Sequence, residues 1–417
     1  MSGQWQQRFT VPAIFLAAVF LQLVFLALLP KSFSSNNSRD YAEFYSPAAQ
    51  NLVEGRGLVL DSGRFLTLYP AGFPLFLATA YRTADALGAD RLRVITAANV
   101  LCMAAGCVLV FCIARKIFGE CTGLFSAGLW ITYIFNLWLV KQPNSEIPFI
   151  PLFYGAIFCF VLSISDQDAK WATLSGVLLG FAGLVRPIVL FVPGIFSLFF
   201  LLRRGVAPKR RVLLAIALVA AFVIAVLPWE WEVYRHTGKI IPLSTNGASS
   251  ILDGATFSRR PGDYAVPSAA ADLMQRMSGH LRDLQTTGRI FQYLAAEFRQ
   301  DPVPVLELYS LKIARTWYGT ESGAHERVVA VLQFGYLLLC GMSVILTWRR
   351  FPEQRFFLVL FLTLVLYFWG MAVIALSILR YMVPVMAFLL IPLGAAVEAV
   401  LGRRKLGESR PLASART

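Results

Sequence analysis

Long apolar runs decide the class of this chain before any motif is read. Stretches of close to twenty residues with few or no charges recur from residue 11 to residue 401. A helix rises about 1.5 Å per residue, so each run can cross a hydrocarbon layer roughly 30 Å thick. Only 15% of residues are charged, against roughly 25% in soluble globular domains. Helices are expected at 11–29, 94–114, 121–140, 147–163, 171–185, 188–202, 212–227, 328–348, 356–376 and from there to residue 401. The fold class that follows is an all-α polytopic membrane protein of about ten helices. No internal repeat is visible.

The net charge of +14 invites a nucleic-acid reading, but the positions of the cations argue against it. They gather at the ends of apolar runs: Arg115 and Lys116, 203–211, Arg349 to Arg355, and Arg403 to Lys405. With ten helices, all four groups fall on one side, which the positive-inside rule makes the cytoplasm. No basic stripe interleaved with aromatics is present, so no nucleic-acid partner is expected. Both termini then lie inside, and two long segments lie outside, in a multi-pass protein of a bacterial inner (plasma) membrane. The expected organisation is a module over 1–229 with seven helices and a catalytic outer loop at 31–93. An extracytoplasmic segment at 230–326 follows, then three helices over 327–402 and a cytoplasmic tail at 403–417. The first run is read as a retained helix, because no small-residue cleavage site follows it. The six cysteines lie in or beside apolar runs without metal-ligand spacing, and no disulfide is implied.

Chemistry concentrates in SRDYAEFYSPAAQNLVEGRG, residues 38–57. Asp40 and Glu43 stand at i, i+3, on one face of a short helix. Locally they read most simply as a helix cap, Asp at the N-cap with an acid in the first turn. The alternative is a pair of site carboxylates, since a carboxylate in a cleft can act as general base toward a hydroxyl. Glu146 is a third acid reachable from outside. Short outer turns should be poor in Lys and Arg, yet Lys141, Arg186 and Arg380 each sit at an outer helix end. They read either as snorkelling cations or as a ring of positive charge for an anionic headgroup, able to stabilise a departing phosphate. His236, His280 and His325 are scattered, with no HExxH, GxSxG or phosphate-loop pattern. Glu398 is nearly alone among acids within a run, and neither mid-membrane charges nor Gly/Pro-broken helices are expected. That weighs against a transporter or flippase. In the second long segment, Ile290, Leu294 and Phe298 mark an amphipathic helix ending near Asp301-Pro302. A further stretch carries Leu308, Lys312 and Trp317. Both are expected to pack on the membrane face.

In order along the chain, several pieces form a pattern. Asp40 is followed by Glu43-Phe44-Tyr45, an Ala pair, Leu52 and Gly55-x-Gly57. Then come Tyr69-Pro70 with Gly72-Phe73-Pro74-Leu75, and Asn144-Ser145-Glu146. Gly183 to Pro187 carries Arg-Pro, Leu227-Pro228-Trp229 precedes Pro242 to Gly247, and Arg380-Tyr381 precedes the last helix. The chain thereby resembles the GT-C glycosyltransferases that use a polyprenyl-phosphate sugar donor. The resemblance is to the bacterial and archaeal branch related to protein O-mannosyltransferases and the lipid A aminoarabinose transferase. It implies the GT-C fold and transfer of a sugar to a glycolipid, polysaccharide or protein hydroxyl on the extracytoplasmic face, with inversion. Asp40 would be the base. Glu43, Glu146 and Tyr45 would bind substrate, and Arg186 and Arg380, with Lys141 by position, would hold the donor phosphate. The branch usually carries a second acid directly after the catalytic Asp. Here that place is Tyr41, so a divalent metal is left open rather than assigned.

Overall fold

A computed structural model of the chain describes residues 2–30, 38–257 and 266–408, with side chains over 9–401 of those. Of the expected segments, the start of the first outer loop (31–37) and the end of the tail (409–417) lie outside the described residues. The described chain is helical, apart from an isolated antiparallel bridge between Val59 and Phe65. It is an all-α polytopic membrane protein.

The first helix, α1 (Ser2–Leu28), turns Leu16, Phe20 and Leu28 outward, as a lipid-facing helix does. The first long loop folds as a π-helical turn (Tyr41–Tyr45), α2 (Ser46–Val53) and α3 (Gly72–Leu87). The bundle continues with α4 (Arg91–Phe118), α5 (Glu120–Thr132), α6 (Ile134–Val140), α7 (Glu146–Asp166), α8 (Ala169–Val185), α9 (Val192–Leu202) and α10 (Pro208–Thr237). Four helices of the second long segment follow: α11 (Gly247–Ala255), α12 (Ser268–Gly279), α13 (Thr287–Gln300) and α14 (Pro302–Arg315). The chain returns to the bundle with α15 (Glu326–Arg350), α16 (Arg355–Ile374) and α17 (Val383–Glu408). Seven of these helices are long and apolar enough to span on their own. The bent pair α5 and α6 makes an eighth candidate, while α8 and α9 are shorter apolar helices. The ten expected runs are therefore all helical, but not all of one kind.

Three features depart from expectation. The run at 121–140 is broken: α5 and α6 meet at 55°. Tyr133 is extended there; its N donates to Trp130 O at 3.3 Å, and the Asn136 amide donates to the same carbonyl at 2.8 Å. Tyr133 Oη in turn donates to buried Gln333 of α15 at 2.8 Å. Polar side chains, not Gly or Pro, make this break. Second, α10 does not stop at Pro228 but runs on to Thr237. A proline removes one donor and crowds one turn, which bends a helix more readily than it ends one when neighbouring packing continues. Third, α11–α14 build a small core of their own from Ile251, Leu273, Met274, Ile290, Leu294 and Leu308. Phe298, expected on the same stripe, is 46% exposed.

Close approach of α8 to its neighbours positions the site. A Cβ at Gly176 would stand 2.1 Å from Leu218 O, so α8 and α10 meet backbone to backbone. At the start of α3, a Cβ on Gly72 would stand 2.6 Å from Leu184 O. The first long loop is thus seated directly on the end of α8, next to Arg186.

Candidate active site

The π turn before α2 sets the first wall of a cleft. One residue more per turn than an α-helix brings Tyr41 and Tyr45 inward together and leaves Glu43 outside. Tyr41 Oη lies 3.0 Å from Tyr81 Oη of α3. Tyr45 packs against Tyr69, with ring centroids 4.5 Å apart, and edge-on against Phe73. Asp40 has helical backbone angles and makes no capping bond, so the local cap reading does not describe it. Its half-buried carboxylate faces the cleft that Tyr69 also lines. Burial and the Asp40 charge push the Tyr69 phenol far above its ordinary range, so it stays protonated. Burial does the same to Tyr45.

The second wall is the turn between α6 and α7. The Asn144 amide donates to Leu139 O at 2.8 Å and its carbonyl accepts from Ile147 N at 3.2 Å, stapling the two helices together. Asn99 of α4 adds a bond to Gln142 O at 3.1 Å. The first residue of α7 is then Glu146, whose side chain has 0% exposure. Arg186 follows α8 in an extended conformation, as Pro187 requires of the residue before it. Its Nη1 lies 2.5 Å from Glu146 Oε1 and donates to Ser145 Oγ at 2.8 Å. Arg380, between α16 and α17, places Nε 2.8 Å from the same Glu146 oxygen and Nη1 2.9 Å from Glu321 Oε1. Both guanidiniums lie against the Tyr381 ring. These are close ion pairs rather than well-directed hydrogen bonds. Burial works against the Arg380 charge, but Glu146 and Glu321 hold it well above its ordinary value.

A third segment closes the cleft through a strained residue. Leu243 has φ +62°, held at both ends: its N donates to Glu230 Oε1 at 2.7 Å and its O accepts from Trp229 Nε1 at 2.9 Å. Thr245 N then bonds Thr67 O of the first loop at 3.0 Å. The result puts Asn246 on the cleft wall, beside Asp40, Tyr45, Tyr69, Glu146, Arg186, Arg380 and Tyr381. The cleft volume is about 80 Å³.

Of the residues singled out from sequence, Asp40, Tyr45, Glu146, Arg186 and Arg380 converge here. Glu43 does not: it is 47% exposed and pairs with Arg39 at 2.8 Å. Lys141 does not line the cleft either; its ammonium sits 3.8 Å above the Trp138 ring. Glu146, expected to bind substrate, lines the cleft with its carboxylate engaged by two arginines. Glu321 had no signal in the sequence, being one acid in a turn-rich stretch. Among the described residues no three His, Cys, Asp or Glu side chains converge as a metal ligand set.

Residues 74–229 match the Dolichyl-phosphate-mannose-protein mannosyltransferase family. That span includes Glu146 and Arg186, and neither Asp40 nor Arg380. No curated protein matches the chain in sequence. Among solved structures, it is similar to the archaeal oligosaccharyltransferase AglB of Archaeoglobus fulgidus in complex with an inhibitory peptide and a dolichol-phosphate. The TM-score is 0.53 at 12% identity, covering 99% of this chain and 53% of that one. The apo form of the Archaeoglobus fulgidus oligosaccharyltransferase gives 0.51 at 13%, covering 97% and 52%. ArnT from Cupriavidus metallidurans bound to undecaprenyl phosphate gives 0.47 at 13%, covering 95% and 78%. The chain spans about half the length of the oligosaccharyltransferases. It has the GT-C fold and, through residues 74–229, a family sequence pattern, and is thereby similar to the GT-C glycosyltransferases that use polyprenyl-phosphate donors.

Proposed function

We propose that this protein transfers a sugar from a polyprenyl-phosphate donor to an acceptor hydroxyl at the extracytoplasmic face of the cytoplasmic membrane. The observation that carries the reading is one juxtaposition. A half-buried carboxylate with no capping duty, Asp40, shares a cleft with two arginines, Arg186 and Arg380, whose side chains are each 13% exposed. A base and a phosphate site are the two things this transfer needs at one place. The GT-C fold supports it, as does an AglB structure of that fold described with a dolichol-phosphate.

In the proposed step Asp40 takes the proton of the acceptor hydroxyl as its oxygen attacks the anomeric carbon. The bond from that carbon to the phosphate oxygen breaks, and its electron pair leaves on polyprenyl phosphate. The sugar centre inverts in a single displacement. Arg186 and Arg380 meet the charge that grows on the phosphate. Tyr45 and Asn246 offer the sugar a face and an amide. The acceptor is a glycolipid, a polysaccharide or a protein hydroxyl.

Replacing Asp40 by Asn keeps the shape and removes the base. Transfer should fall by roughly 10² to 10⁴-fold, while labelled donor still binds. Near-normal turnover in Asp40→Asn would remove Asp40 as the base. Movement of donor across liposomes by the purified protein, with no sugar transferred, would favour the transporter reading instead.

A further inference from the structure

Arg380 has two acidic partners, and they differ in one decisive respect. Glu146 has 0% side-chain exposure, whereas Glu321 has 37%. Glu146 also serves Arg186, so moving it would take an acidic partner from two guanidiniums at once. Glu321 serves Arg380 alone among the described ion pairs and approaches from outside the cleft lining. Its side chain can turn into water at the cost of a partly exposed pair, and such pairs are worth little.

The backbone behind this contact does not move with it. Leu379 N donates to Gly319 O at 2.8 Å, and a Cβ on Gly319 would stand 2.6 Å from Ser377 O, so the two strands of chain touch. Arg315, 2% exposed, donates to Ser377 O at 3.0 Å, to Thr320 O at 3.1 Å and to Glu326 Oε1 at 2.6 Å. Glu326 also accepts from Thr320 N at 2.8 Å. Lys312, one turn earlier on α14, donates to Ile374 O and Ala375 O at 3.1 and 2.9 Å. A buried network thus registers residues 319–320 against 374–379. Residues 321 and 380 are the next on each chain. Their meeting is specified by the fold, while the Glu321 carboxylate keeps rotational freedom.

Charge gives the contact a consequence. With Glu321 in place, two arginines face three acids, Glu146, Glu321 and the Asp40 that shares the cleft. Turning Glu321 away removes one negative charge from beside Arg380, which favours an incoming phosphodiester. We infer that Glu321 is a resident competitor for Arg380: lipid-linked phosphate binds by displacing it, and its return helps release the polyprenyl phosphate product. The inference rests on the phosphate role proposed above for Arg380.

The test measures the affinity of the full-length protein in detergent for undecaprenyl phosphate, with undecaprenol as the probe lacking phosphate. Glu321→Gln should bind undecaprenyl phosphate about tenfold more tightly than wild type, a gain that structural damage does not produce. It should bind undecaprenol no better, and its steady-state turnover should fall below its single-turnover rate as release slows. Arg380→Lys keeps a charge for Glu146 but loses the fork that spans both acids, and should bind the phosphate lipid more weakly. If Arg380→Lys weakens binding while Glu321→Gln matches wild type or is weaker, the competition is overturned and the phosphate site stands. If wild type and Arg380→Lys bind undecaprenyl phosphate equally, the phosphate role of Arg380 falls, and the inference with it.

Discussion

Glu146 holds two arginines from the start of α7, where the helix dipole favours an acid. A carboxylate with no exposed surface is tolerable there because both its partners are charged and close. Lys312 is the harder residue. It is 1% exposed, and among the described residues its ammonium has two backbone carbonyls at hydrogen-bond distance. Burial, with Arg315 adding to it and Asp253 opposing, pushes its pKa down from 10.5 to about 7. Below pH 7 both folded and unfolded states carry the proton, and the cost of burying it is fully felt. Between about 7 and 10.5 the unfolded state binds the proton and the folded state does not, so stability rises with pH. Above that window the cost is gone. The thermal stability of wild type relative to Lys312→Met should therefore climb from pH 7 to 10, by at most about 1.4 kcal/mol per pH unit. A difference that is flat across that range would show that Lys312 stays charged.

Elements meet in this protein through residues that lack a side chain. Gly72→Ala should lift α3 from the end of α8, since the added Cβ would sit 2.6 Å from a backbone oxygen. The cleft is built on that seat, and displacement by about 1 Å can cost roughly a hundredfold in rate. Transfer should fall by about that much, while Gly128→Ala, in open space, leaves it unchanged; equal rates for both would detach the seat from the chemistry. Such contacts show what a sequence discloses. The Tyr69 to Leu75 run is conspicuous for its Pro and Gly, but nothing in it names Leu184 as the reason. The π turn is equally hidden, because its extra residue is held by Tyr81 and Tyr69 from elsewhere in the chain. The same holds for the break at Tyr133, whose partner Gln333 lies in another helix. Apolar runs are legible because each helix meets lipid by itself. Breaks and turns satisfied by distant partners are not.

At the scale of the whole molecule, the four basic clusters and the cleft bear on one question, which side faces out. The proposed topology puts Lys209 in the cytoplasm and Asp283 outside. In a cysteine-free background, a membrane-impermeant maleimide applied to intact spheroplasts should label Asp283→Cys and not Lys209→Cys. Labelling of Lys209→Cys from outside would invert or break the arrangement. Ordered motifs brought Asp40, Glu146, Arg186 and Arg380 to one end of the bundle, because a spacing of whole helices returns the chain to the same face. Glu43, from the same motifs, and Lys141, singled out by position, lie outside the cleft lining, because sharing a face is not the same as facing a cleft. Which acid serves which arginine depends on packing across four chain segments, beyond what any local pattern holds.

The cleft itself has one more consequence. Its volume of about 80 Å³ is room for a few waters at roughly 30 Å³ each, and small-molecule sites usually offer about 300 Å³ or more. On the proposed function, a donor sugar needs more room than this cleft offers, so its walls would part to admit it. Those walls are unequal: one is the first long loop on its glycine seat, another the α6–α7 turn stapled by Asn144, and the third hangs from a strained leucine. On the proposed function, throughput would then be bounded by how often the least secured of them swings aside, and closure would keep a lipid-linked sugar beside Asp40 away from water.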